Sequence, residues 1–247
     1  LDDLKDFAVN RVFIRGELLA CEGRYLPEVR KHDISSVKGS VVVKDFSKEK
    51  LLMHLKSDEV YAIEIVPGGV VTKKAKVKVR LDERGEFVFD EANDVVKIAV
   101  VERHKGTGNV ACAFLKGYGI KTGAVAISIA HDSHNIIVVG TSDDEMEFAV
   151  KSLCDQCGGI VLVNGGKVVE SMPMPIAGLM SDKTGEWVDE RLTSIHDKAF
   201  EVLGVNKNID PVMTLCFMSL PVIPELKLTD MGLFDVGKFD FIKNEIE

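Results

Sequence analysis

Between residues 95 and 163 the chain carries five apolar runs of four to seven residues, at 95–101, 110–115, 124–130, 136–139 and 160–163, separated by connections that hold most of the polar residues and glycines of this stretch. Such runs, rich in valine, isoleucine and alanine, are too short for buried helices and fit strands covered on both faces. A strand cannot satisfy its own backbone, so five in near succession commit this part of the chain to a sheet. Residues 60–66 and 70–81 extend the pattern around the turn Pro67-Gly68-Gly69, and Gly85 turns the chain into 87–89. Lys73, Lys74, Lys76 and Lys78 punctuate 70–81 in the manner of a solvated sheet face rather than a polyanion site.

Helical periodicity enters between the strands. Met146, Ala149, Val150 and Leu153 fall at i, i+3, i+4, i+7, predicting a helix over 143–154 capped by Asp143. Asp182 opens a longer helix through Trp187, Leu192, Ile195 and Leu203, closed by Gly204, and Ser47 caps a short one over 48–55. Asn164-Gly165-Gly166 is a hairpin turn, and Met172 to Gly178 reads as a rigid apolar turn. This order of elements predicts an α/β or α+β domain with a mixed sheet. The first 26 residues read as a separate β segment with turns at Gly16-Glu17 and Gly23, followed by a connector over 27–50 that includes a short strand at 41–43. A hairpin is unstable alone in water, so this one is expected to pack on something else, as if the chain began part-way through a larger architecture.

Composition narrows the function classes. With 31 basic and 39 acidic side chains the formal charge is −8, which disfavours sequence-independent binding to nucleic acid or anionic lipid. No apolar run approaches the roughly 18–20 residues of a membrane span, and Leu1-Asp2-Asp3-Leu4 resembles no targeting peptide. The five cysteines are odd in number and irregularly spaced, a poor disulfide framework. Cys154 and Cys157 form a lone CxxC without a second ligand pair, read as buried or half-buried thiols. A reduced, cytoplasmic setting is expected.

Two polar clusters interrupt the apolar runs. His131-Asp132-Ser133-His134-Asn135 joins two strands with more donors and acceptors than a turn requires. Converging in a tight loop, the two imidazoles and the carboxylate could bind a divalent metal or act as acid and base. The competing reading is local turn hydrogen bonding by Asp132 and Asn135. Glu102-Arg103-His104 stands at the C-terminal end of another strand, where open sheets place ligand groups, although an exposed Glu-Arg pair is more often a solvated ion pair. His32, His54 and His196 are isolated and read as surface or structural residues, and the sequence holds no His-x-His, no His-Glu-x-x-His and no Gly-x-Ser-x-Gly.

Several segments resemble the C-terminal portion of bacterial and archaeal adenine deaminase, of the amidohydrolase superfamily. They are Val100 to His104, Gly117-Tyr118-Gly119, Ala130 to Thr141, Pro175 to Ser181, Asp210-Pro211 with Met213-Thr214-Leu215, and Leu220 to Pro224. The similarity is collinear over about 51–247 and continues more weakly into 1–26, where Val12 to Gly16 is similar to the closing β segment of the superfamily's small composite domain. The resemblance implies conversion of adenine and water to hypoxanthine and ammonia, with a divalent metal (manganese or iron) held in a (β/α)8 barrel. It implies that barrel as a partner upstream of Leu1, with the metal ligands there and none in this chain, and homo-oligomeric assembly. It also makes the 131–135 loop the segment expected to reach the active site, with His131, Asp132 and His134 as catalytic candidates. Glu102, Arg103, His104, Ser133 and Asn135 are the candidates that bind substrate or line the site. The isolated chain is expected to be inactive. Two other readings compete: a purine-binding or assembly module without catalysis, and a self-sufficient metal hydrolase using His131, Asp132 and His134 with His104 or Glu102.

Overall fold

The computed structural model describes residues 1–246 in two units, Leu1–Ser36 and 37–246. In the first, β1 (Arg11–Ile14), β2 (Glu17–Cys21) and β3 (Arg24–Tyr25) form an antiparallel meander. Its turns fall at Arg15-Gly16 and Glu22-Gly23, all four residues at positive φ. Phe13, Ile14 and Tyr25 remain exposed on this small sheet.

The second unit is built on an eight-stranded sheet. Its early strands are β4 (Glu59–Ile65) and β5 (Thr72–Lys78), with a small side ribbon of β6 (Arg80–Leu81) and β7 (Phe87–Val88). Then come β8 (Val95–Val101), β9 (Val110–Lys116), β10 (Ala124–Ile127), β11 (Ile136–Gly140), helix α1 (Asp143–Asp155), β12 (Gly159–Asn164) and β13 (Lys167–Pro173). Helix α2 (Gly185–Glu201), the short α3 (Met213–Cys216) and a three-stranded sheet of β14 (Leu226–Thr229), β15 (Gly232–Asp235) and β16 (Asp240–Ile242) complete it. The large sheet has the order β13-β12-β10-β11-β8-β9-β4-β5, and the β4/β9 pair is parallel while the others are antiparallel. It is a mixed sheet with few helices, and the described residues contain no (β/α)8 barrel.

The apolar runs are continuous because both faces of the central strands are covered. Ala99, Val101, Ala126, Val138 and Val161 face α1, whose Met146, Ala149, Val150 and Leu153 are fully buried against them. Their neighbours Ile98, Val100, Val125, Ile137 and Leu162 face the opposite layer, which contains Ile195 and Ala199 of α2 and Leu226 and Leu228 of β14. Each buried valine, leucine, isoleucine or methionine among them contributes about 1.5–3 kcal/mol by leaving water, so the three layers hold one another in place.

Several local expectations are corrected. Residues 48–55 do not form an α-helix: only Lys48–Leu51 form a single 3-10 turn, and Ser47 makes no side-chain cap. The Leu51 carbonyl accepts from Lys97 Nζ at 2.8 Å, and the Leu55 amide turns away to Gly85 O. Residues 41–43 form no strand; Val42 donates one bond to Arg103 O. Ser142, not Asp143, caps α1, and Thr184, not Asp182, caps α2, because these hydroxyls reach the Glu145 and Trp187 amides. Helix α2 ends at Glu201, before Leu203 and Gly204, and Met172 and Pro173 close β13 rather than opening a turn.

Two lysines lie inside. Lys97 in β8 is 3% exposed and bonds Asp143 Oδ1 at 2.6 Å besides the Leu51 carbonyl. Lys227 in β14 is 0% exposed, and its Nζ donates to Val70 O at 3.0 Å with no carboxylate bonded to it among the described residues. Burial lowers the Lys227 pKa to about 8. Below that pH both folded and unfolded chains hold the proton and folding bears the full desolvation penalty. Between about 8 and the ordinary 10.5 the unfolded chain binds the extra proton, so stability rises with pH. Lys227→Met should therefore raise the urea midpoint at pH 7 and flatten its rise between pH 8 and 10.5. A lower midpoint with an unchanged slope would show that the ammonium is not the destabilising group.

Candidate functional site at the 102–104 and 131–135 strand ends

Strands β8 and β10 end, and β11 begins, at one end of the large sheet, and this antiparallel arrangement brings 102–104 beside 131–135. The two segments are tied directly: His104 Nε2 donates to Ser133 O at 2.8 Å, which fixes the proton of a neutral His104 ring on that nitrogen.

Arg103 sits beneath the loop and is 1% exposed. Its Nε donates to His134 O, and its Nη2 to Ser128 O at 3.3 Å and Ala177 O at 3.2 Å. No carboxylate bonds it among the described residues, and burial lowers its pKa below the ordinary arginine value. The exposed Glu102–Arg103 ion pair expected from the sequence does not exist, because the two side chains point into different layers of contacts. The glycines around Arg103 follow from the fit. A Cβ on Gly178, at φ +70°, would stand 2.8 Å from Arg103 Nη1, and one on Gly158 would stand 2.6 Å from the Gly178 Cα. Ser128 Oγ completes the knot by donating to Gly178 O at 2.5 Å and accepting from Gly159 N at 2.7 Å.

Glu102 folds back on its own loop. Its carboxylate accepts from the amides of His104 at 2.6 Å, Lys105 at 2.7 Å and Thr107 at 2.9 Å, and from Thr107 Oγ1 at 3.2 Å. Burial pushes its pKa up, but the hydrogen bonds outweigh burial and bring it down to about 2. With its oxygens filled in this way, Glu102 orders the 103–108 connection rather than facing a ligand.

The loop 131–135 divides its side chains between inside and outside. The His131 ring stacks on Phe217, with centroids 5.4 Å apart and planes 17° from parallel, and its amide donates to Cys216 O at 2.8 Å. His131 Nδ1 lies 2.9 Å from Asp132 Oδ1, and both side chains are more than half exposed, at 53% and 78%. His134 has φ 51°, its amide donates to Ala130 O at 2.6 Å, and its buried Nδ1 has no partner among the described residues. Burial, then the charge of Arg103, lowers the His134 pKa and favours the neutral ring. Ser133 Oγ accepts from the Asn135 amide at 3.4 Å. Asn135 is 5% exposed and its Nδ2 donates to Asp230 Oδ1 at 3.3 Å, while Asn109 Nδ2 reaches the other Asp230 oxygen at 3.2 Å.

Chemically, His131 and Asp132 are an accessible imidazole–carboxylate pair on an aromatic shelf, able to take up or deliver a proton at the surface of the loop. His104, Ser133, His134 and Asn135 support that loop, Arg103 lies under it, and Glu102 serves its own turn. No group of three or more His, Cys, Asp or Glu side chains among the described residues could hold a metal ion. A metal centre made of His131, Asp132 and His134 with His104 or Glu102 therefore lacks its geometry. Sequence reasoning missed Phe217, Asp230 and Asn109, which reach the loop from distant segments and carry no local motif. Only Ser128, a polar residue inside an apolar run, and the pair Gly158-Gly159 could have signalled the knot.

Comparison with known proteins agrees with this architecture. The family model described as the adenine deaminase C-terminal domain matches residues 69–240, and the chain belongs to that family. It is 63% identical over 245 residues to a protein named adenine deaminase 2 of Desulfotalea psychrophila, covering 99% of this chain and 42% of the relative. It is 50% identical over 246 residues to an adenine deaminase of Ligilactobacillus salivarius, covering all of this chain and 43% of the relative. An adenine deaminase 2 of Carboxydothermus hydrogenoformans is 44% identical over 98% of this chain and 42% of its own length. The chain thus spans about two-fifths of the curated relatives it matches.

Two measurements check the roles assigned here. Arg103→Met should destabilise the fold by about 1–3 kcal/mol or more in urea titrations, since it orphans buried carbonyls, and Arg103→Lys should recover part of the loss. For Glu102, whose folded pKa lies below the ordinary 4.5, the stabilisation is complete above that value and is lost as pH falls through about 2. Glu102→Gln should flatten the acid limb of stability against pH and speed hydrogen exchange at the Lys105 and Thr107 amides; unchanged exchange would refute the loop-ordering role.

Proposed function

We propose that this chain is the C-terminal part of a metal-dependent adenine deaminase, which converts adenine and water to hypoxanthine and ammonia. The observation that carries the reading is the 63% identity running along 99% of the chain to a protein named adenine deaminase 2, of which the chain accounts for 42%. In this reading an upstream (β/α)8 barrel binds adenine and holds the divalent manganese or iron. This chain contributes the 131–135 loop at the mouth of the site. The described residues offer no cluster to hold that metal, so no step is derived through it for this chain.

The loop's part is positional and acid–base. The stacking of His131 on Phe217 restricts its ring, and the Asp132 carboxylate 2.9 Å from Nδ1 favours a proton on that nitrogen, leaving Nε2 to accept or relay one. Arg103, by holding the carbonyl of His134, keeps the base of the loop fixed while its tip stays accessible. Cytoplasmic residence and homo-oligomeric assembly belong to the same reading; among the described residues no helix is long and apolar enough to cross a membrane.

The purified chain with Mn²⁺ or Fe²⁺ and adenine should release no ammonia. Adding the separately expressed upstream part of the Desulfotalea psychrophila relative should restore release. Turnover by the chain alone, or an inactive but well-folded mixture, would overturn the proposal. In the active mixture His131→Ala should lower kcat by about 100-fold or more with an unchanged melting midpoint, in keeping with the usual size of acid–base contributions. An equal loss of activity and stability would make His131 structural only.

A further inference from the structure

At the end of the sheet opposite the 131–135 loop, where β8 begins and β11 passes into α1, lies a cavity of about 340 Å³. Phe87, Phe89 and Leu52 supply its apolar wall, and Lys97 and Asp143 meet there as a pair 2.6 Å apart. Lys97 Nζ uses two of its N–H donors, on Asp143 Oδ1 and Leu51 O, and keeps a third. Asp143 keeps a second oxygen as an acceptor. The pair thus retains one donor and one acceptor in a lining it shares with Phe87 and Phe89, with the Lys97 side chain 4% and the Asp143 side chain 21% exposed.

The charges decide what such a place would accept. The charged lining residues are Lys97 with Asp143 and Lys48 with Asp144, the latter pair 2.7 Å apart, so the lining is neutral in sum. A lone anion would face both aspartates, and the first turn of α1 adds Glu145 to them, which makes this helix start unfavourable for phosphate. A lone cation would face the two lysines. A neutral planar heterocycle is the match: its flat face covers Phe89 and Leu52, and an edge with a ring acceptor beside an N–H donor meets Lys97 and Asp143 together.

We propose that this cavity is a binding site for a neutral nucleobase, separate in location from the 131–135 loop. The test titrates the isotopically labelled chain with adenine and follows backbone amide resonances, with glycine as a zwitterionic control and inorganic phosphate as an anionic one. Adenine should produce saturable shifts at residues 87–89 and 140–144 with Kd of about 1 mM or tighter. The shifts should weaken about fivefold in Leu52→Ala, which alters an exposed side chain and spares the core, and in Phe89→Ala. Three results would overturn the site: no saturable shift at those amides, adenine shifts confined to 131–135 and its neighbours, or glycine or phosphate acting there at the same concentration. Failure here leaves the ammonia-release experiment unaffected, since that assay reads the opposite end of the sheet and a second polypeptide.

Discussion

The guanidinium of Arg103 gathers the end of β10, the 131–135 loop and the turn before Gly178 through carbonyl oxygens alone. A buried cation without a carboxylate is expensive, and here three of its five N–H donors meet carbonyl acceptors. Everything around it follows from that demand. Gly178 gives the guanidinium room, Gly158 gives Gly178 room, and Ser128 ties Gly178 to Gly159 at the start of β12. Because the carbonyl of His134 is one of the three acceptors, the loop carrying His131 and Asp132 is anchored from below while its outer residues stay in solvent.

Charge inside this fold recurs as a way of joining layers. Lys97 connects the sheet to α1 and to the 48–51 turn, and Lys227 connects the small C-terminal sheet to the residues before β5. The two differ in cost. Lys97 has a carboxylate at 2.6 Å, whereas Lys227 has only a carbonyl, and burial brings the Lys227 pKa down to about 8. The same contrast distinguishes Glu102 from Arg103. The carboxylate is fully hydrogen-bonded by its own loop and stays ionised to low pH, while the guanidinium draws its partners from distant segments.

These features support a division of labour at the 131–135 loop. Its rigid half is held by Arg103, His104 and Asp230, and its open half presents an imidazole, a carboxylate and an aromatic face. Membership of the adenine deaminase C-terminal domain family gives that surface a context. A relative more than twice as long has room for chemistry that these residues do not supply, and the proposed role of the loop is to complete such a site from outside it.

The sequence by itself determined the sheet and its main helix. Valine and isoleucine runs of strand length, glycine turns, and the 146-149-150-153 spacing are local consequences of backbone geometry and burial, readable without knowing what packs on what. It also held the family motifs and pointed to 131–135, because so many polar groups between two apolar runs stand out. The tertiary structure decided what those polar groups do. Whether Arg103 is exposed or buried and which ring His131 rests on depend on segments 25 to 86 positions away, and spacing along the chain carries no record of such distances. The failed helix at 48–55 has the same cause: a lysine in β8 takes the carbonyl that its next turn would have needed.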